Sequence, residues 1–137
     1  MSASLLYRIA SFVLVLFAAG HTLGFAKVDP RWGAEAAVGA MRTVRFNVGS
    51  FNRGYWDFYL GFGYFATAFL LFGAVLAWQL GGLSRETLKL MPLITWGLAV
   101  CFVVVTFLSW KYFFLPPIVF SGVLTGVLVV AAWVAGR

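Results

Sequence analysis

Charge is what this chain has least of. Only 10% of its 137 residues are charged, against about 25% in an ordinary soluble domain, too few to coat a water-facing surface. Acids are scarcest, with 4 Asp and Glu against 10 Lys and Arg, and this basic balance favours an anionic ligand or lipid over a cation. Cysteine occurs once, as Cys101 in the middle of the third apolar run, so there is no internal disulfide and no cysteine metal cluster. Histidine also occurs once, as His21, and one histidine without a second ligand is a poor metal site. The chain has no Gly-rich phosphate loop, no metal-ligand spacing and no nucleophile paired with a base. Repeats, low-complexity tracts and linkers are absent as well. No metal and no nucleic-acid partner is expected, and no cofactor is indicated.

What remains is apolar. The composition is 63% hydrophobic, concentrated in four runs at 5–25, 55–80, 91–110 and 117–135. Each is long enough to cross a hydrocarbon core of about 30 Å, which takes roughly 20 residues. In lipid the backbone must satisfy its own polar groups, so the runs are helices. The expected fold is all-α, a four-helix transmembrane bundle formed by a single domain, 1–137, with a short amphipathic interfacial helix between the first two spans. Both termini then lie on one side of the membrane. The aromatic residues agree with that threading: Tyr7, Trp78, Trp96 and Trp133 fall at one set of helix ends, Tyr55, Trp56, Trp110 and Tyr112 at the other, as two headgroup belts. The first run has a small-residue stretch, Ala18-Ala19-Gly20, of the kind that ends a signal peptide. Its apolar character continues through Leu23 and Phe25, so it reads as a retained helix.

Six glycines are positioned for close helix approach: Gly20 and Gly24 in the first span, Gly61 and Gly63 in the second, Gly122 and Gly126 in the fourth. The third span carries a stripe of Thr95, Ala99, Phe102, Thr106 and Ser109 suited to a helix contact. Residues 27–54 form the one sizeable extramembrane segment. Asp29-Pro30 is a helix start, with Asp as N-cap and Pro at the first position. From there Ala34, Ala37, Met41 and Val44 recur at helical spacing, while Arg31, Glu35, Arg42 and Arg45 share another face, the pattern of a helix lying in the interface. Asn47 to Gly54 reads as a turn-rich return, and Gly81–Leu90 as a solvated connection.

Alternating spans bring the end of the first, the start of the second, the end of the third and the start of the fourth to one face, together with residues 27–54. Most ionisable side chains gather there. The candidate ligand-binding set is His21, Asp57, Arg42, Arg45, Arg53, Lys111, Tyr55 and Trp56; catalytic residues are not assigned. An ionisable group at a membrane boundary is costly to keep and points to function. The plainer roles are a His21 bonded to Asp57 or to a backbone carbonyl, an Asp57 paired with Arg53, and arginines holding anionic headgroups at about 1 kcal/mol each.

At Ala19-Gly20-His21-Thr22-Leu23-Gly24-Phe25 and Arg53-Gly54-Tyr55-Trp56-Asp57-Phe58-Tyr59-Leu60-Gly61-Phe62-Gly63 the chain resembles a group of small bacterial four-helix integral membrane proteins. The resemblance covers about the whole length and implies a multi-pass protein of the bacterial inner (cytoplasmic) membrane. It carries no catalytic residue across, none being established for that group. In shape alone the chain is similar to DoxX-like proteins and to the four-helix sterol-isomerase-like (EXPERA) domain, but the latter's several intramembrane acids and histidines are missing here.

Three functions fit the sequence. One is a binding module that holds a lipophilic or anionic small molecule or lipid at the polar mouth formed by His21, Asp57 and residues 27–54. A second is an accessory or structural subunit that docks a second copy or another membrane protein. The third is a membrane-embedded isomerase or quinone-linked oxidoreductase with His21 and Asp57 as its acid/base pair. The lipid bilayer is a partner of all three. Six cations on the loop face against four on the terminal face leave the orientation open.

Overall fold

The computed structural model describes residues 1–137. Four long helices, α1 (Ala3–Gly24), α3 (Tyr55–Leu80), α5 (Pro92–Tyr112) and α6 (Leu115–Gly136), coincide with the four apolar runs to within two residues at each end. They are 22, 26, 21 and 22 residues long, about 31–39 Å at 1.5 Å per residue. All four are long and apolar enough to cross a membrane. The chain is an all-α, multi-pass membrane protein. It divides into two compact units, one formed by 1–17 with 70–137 and the other by 18–69.

The first unit holds the apolar core, to which all four long helices contribute. Tyr7 and Leu14 of α1, Leu80 of α3, and Leu124 and Leu128 of α6 are fully enclosed. Between them lie Ala10, Ala77, Ala99, Ala131 and Ala132, each buried. Lipid tails are as apolar as leucine, so helices associate through close packing and interhelical hydrogen bonds, and small residues permit both. Ser11 Oγ donates to the Ala74 carbonyl at 2.8 Å, joining α1 to α3. The hydroxyls of Thr106 and Thr125 meet at 2.8 Å and join α5 to α6. The Thr95, Ala99, Phe102 and Ser109 stripe is buried. The two prolines after Leu115 fall in the first turn of α6, where backbone N–H groups have no helical partner to lose.

The connection at 81–90 is more ordered than its polar composition predicts. Ser84 caps a short helix, α4 (Arg85–Lys89), by accepting from the Thr87 N–H, and its Leu88 is buried. One apolar residue among charged neighbours is a weak periodic signal, yet it is enough to seat a turn of helix.

In the second unit the interfacial helix is shorter than its pattern predicts. Asp29 does cap a helical start, but only a single 3₁₀ turn over Pro30–Trp32 follows. Gly33, at φ 62°, ends it, because the left-handed backbone that closes a turn comes without steric penalty only to glycine. A new helix, α2, runs Glu35–Thr43. The return at 47–54 is an antiparallel hairpin of β1 (Phe46–Val48) and β2 (Phe51–Arg53), paired Phe46↔Arg53, Asn47↔Asn52 and Val48↔Phe51. Gly49, at φ 58°, opens its two-residue turn, as the first central residue of a type II′ turn requires. Two three-residue strands are too short for alternation to reveal.

Candidate functional site

Asp57 sits in the first turn of α3 and works backwards. Its Oδ2 accepts from the Gly54 N–H at 2.9 Å, satisfying a donor that the helix start leaves free, in the manner of a capping box. The same oxygen accepts from Arg45 Nη1 at 2.8 Å. Arg45 also donates from Nε to the Asn52 side-chain oxygen (3.1 Å) and from Nη2 to the Asn52 carbonyl (2.9 Å). Asn52 Nδ2 reaches Asn47 Oδ1 across the hairpin at 3.0 Å. One guanidinium thereby ties the exit of α2, the hairpin and the head of α3 together. Gly54 lies inside this clasp; a Cβ there would come within 2.9 Å of the Val44 carbonyl oxygen.

The partner of Asp57 is Arg45, not Arg53. Arg53 belongs to β2, so its backbone is extended and it does not occupy the position one helical turn before Asp57. Its Nη1 donates to the Asn52 carbonyl and its guanidinium lies 5.2 Å from the centre of the Phe51 ring. Tyr55 packs on Phe46, ring centres 5.0 Å apart, and Trp56 stacks on Tyr59 at 5.2 Å. Arg42 lies over the other aromatic surface of this turn, 4.3 Å from the Trp56 ring.

His21 is held apart from Asp57. Its Nε2 donates to the Gly63 carbonyl at 3.0 Å, six residues further along α3, about 9 Å by the helical rise. The ring stacks on Phe25 at 5.0 Å, and Phe25 meets Tyr64 edge-on at 5.2 Å. Phe25 lies directly on Gly63, where a Cβ would overlap its ring. The Tyr59 hydroxyl donates to the Phe25 carbonyl, and the hydroxyls of Thr22 and Thr67 meet at 2.9 Å. Side chains and backbone carbonyls thus stitch the end of α1 to the first half of α3.

The remaining glycines differ from Gly63. A Cβ at Gly20, Gly24, Gly61, Gly122 or Gly126 would meet nothing within 4 Å. Lys111 belongs to the other unit, where its Nζ lies 5.1 Å from the centre of the Tyr112 ring. Asn52, Asn47, Gly54, Phe25 and Thr67 join the site without having been given a role in it by the sequence reading. The Gly54-x-x-Asp57 capping spacing was the one available signal.

A groove of about 210 Å³ opens along α2, lined by Val28, Pro30, Glu35, Val38, Gly39 and Arg42. At its margin, Arg31 pairs with Asp29 and holds that carboxyl below the usual carboxylate range. The ion pairs are Arg31–Asp29 and Arg45–Asp57. Arg42, Arg53 and Lys27 make no ion pair. No three His, Cys, Asp or Glu side chains converge anywhere. Comparison with protein-family models, curated proteins and solved structures finds no match to this chain.

Proposed function

We propose that this small membrane protein is a binding module whose α2 groove takes an anionic amphiphile, with Arg42 meeting the charged head. The observation that carries this reading is the state of Arg42. Its guanidinium lies over Trp56, without an ion-pair partner, on the wall of a groove whose other charged residue is Glu35. A guanidinium stays charged in any protein setting and offers a planar fork of donors suited to phosphate or carboxylate. Val28, Pro30 and Val38 give an acyl or prenyl chain apolar wall. Glu35 stands seven residues from Arg42, about 10 Å along α2, and repels an anion at the far end, so the head is directed to Arg42. Arg45 and Asp57 hold the exit of α2 against the head of α3, while His21 joins α1 to α3. An acid/base role for His21 and Asp57 is disfavoured by their separate partners. The bacterial inner membrane is the proposed location.

Dodecyl phosphate is a suitable probe, with dodecyl maltoside as the neutral control. Titration of the full chain should give saturable binding of the phosphate, weakened about tenfold or more in Arg42→Gln, the loss expected for a charge-assisted hydrogen bond. Gly39→Leu should also abolish it, because the new side chain enters open groove and leaves Arg42 in place. Equal binding of both amphiphiles, or an unaffected Gly39→Leu, would refute the reading.

An accessory-subunit reading finds support in one observation. Gly122 and Gly126 lie a helical turn apart on α6 with open space where a side chain would stand, a spacing that allows another helix to approach. Leucine at both positions should abolish co-purification of a helical partner if that reading holds, and should change nothing if it does not.

A further inference from the structure

We propose that Arg8 and Trp78 form a second anion site, a seat for the phosphate of an anionic phospholipid where the first turns of α1 meet the C-terminal end of α3. The Arg8 guanidinium lies 3.6 Å from the centre of the Trp78 ring. The same side chain runs close to Gly81 and Gly82: a Cβ at Gly81 would stand 3.0 Å from Arg8 Cγ, and one at Gly82 3.4 Å from Nη2. Ser4 Oγ donates to the Gly81 carbonyl and fixes that strip of backbone against α1. The Arg8 side chain thus lies on an indole and beside two glycines, whose lack of side chains leaves it room.

Nothing in the protein neutralises it. Arg8 makes no ion pair, and its Nη1 is buried without a hydrogen-bond partner. An unpaired, partly desolvated charge is costly, and arginine does not escape by losing its proton. The unit around it holds Arg85, Lys89, Lys111 and Arg137 against one acid, Glu86, so no internal carboxylate is at hand. A second guanidinium, that of Arg137, likewise lies on an indole, 3.4 Å from the Trp133 ring centre. The counter-charge must come from outside.

A phospholipid is the source the geometry favours. Trp78 stays more than half exposed on a helix apolar enough to span a bilayer, and indoles prefer headgroup depth. A lipid beside Trp78 places its phosphate at Arg8 and its tails along α3. Free phosphate would reach the same guanidinium with no use for that apolar flank.

The test uses the full chain carrying Arg42→Gln, so that the α2 groove cannot contribute, in a neutral detergent with equal amounts of phosphatidylglycerol and phosphatidylcholine. Native mass spectrometry should show phosphatidylglycerol retained in excess. Adding Arg8→Gln should bring the ratio down about tenfold, the scale of one charge-assisted contact, and Trp78→Phe should lower it by about threefold through the weaker ring. Parity of the two lipids in the Arg42→Gln chain would overturn the proposal, and that comparison stands even if Arg8→Gln fails to fold. An unchanged ratio in a folded Arg8→Gln protein would overturn it too. Displacement of the lipid by millimolar inorganic phosphate would overturn the assignment to phospholipid.

Discussion

Gly63→Ala tests whether Phe25 pins the end of α1 to α3, since it adds one methyl at a position with no room for it. The new Cβ would overlap the Phe25 ring. Phe25 cannot swing freely, because it carries the His21 stack on one side and the Tyr64 edge contact on another. Overpacking of this kind typically costs about 1–3 kcal/mol. At about 4 °C per kcal/mol for a chain of this size, the melting temperature should fall by roughly 4–12 °C. The His21 bond to the Gly63 carbonyl should be strained along with it, since the stacked rings move together. Thermal unfolding of detergent-solubilised protein, followed by the loss of the monodisperse elution peak, gives the readout. The diagnostic experiment is the cycle with Phe25→Ala. Phe25→Ala destabilises by itself, but in its presence Gly63→Ala should cost close to nothing, leaving a coupling of at least about 1 kcal/mol. Additive effects of the two substitutions would mean that Phe25 does not lie on Gly63 and that the end of α1 meets α3 through other contacts.

Asp57→Ala and Arg45→Gln should both destabilise, because the carboxylate serves the Gly54 N–H and Arg45 while the guanidinium also serves Asn52; Asp57→Asn, which retains an acceptor for Gly54, should fall between Asp57→Ala and wild type in the same melting assay. Leu124→Ala should cost about 2 kcal/mol, near the low end of the soluble range, because burial against lipid tails gains little transfer energy and mainly the lost packing counts; a loss below measurement error would remove Leu124 from the core. Asp29 has its pKa lowered by Arg31, so its contribution to the 3₁₀ turn is present above the ordinary carboxylate range and is lost as pH falls through the depressed value. Trp32 emission should therefore change on acidification in wild type and not in Asp29→Asn, read in a variant whose other tryptophans are phenylalanine.

The spans were legible because uninterrupted apolar length has few other meanings, and the buried Thr95–Ser109 stripe followed from helical spacing alone. The segment at 27–54 was legible only in part. Its helical pattern is real over Glu35–Thr43, but a single Gly33 in a left-handed conformation breaks what periodicity would continue. The identity of the Asp57 partner was hidden for a related reason. Helical spacing points to Arg53, yet Arg53 is in a strand, and the hairpin carries Arg45 back from twelve residues away. Such a reversal depends on Gly49 and a few strand pairs, which leave little trace in composition. His21 was recognisable as a polar group needing a partner, and a backbone carbonyl supplied it; no pattern of side chains can announce an acceptor that every residue carries. Gly63 could be picked out as a site of close approach, but not the ring that fills it.

Native mass spectrometry of the protein extracted gently from its own membrane, wild type beside Arg42→Gln and Gly39→Leu, addresses the binding function most directly. A discrete anionic amphiphile, bound to the wild type in addition to any phospholipid held at Arg8 and missing from both variants, is the predicted result, and its mass would give the compound class. Wild type carrying only the mixed bulk lipid found on the two variants would contradict the assignment of the α2 groove as a binding site.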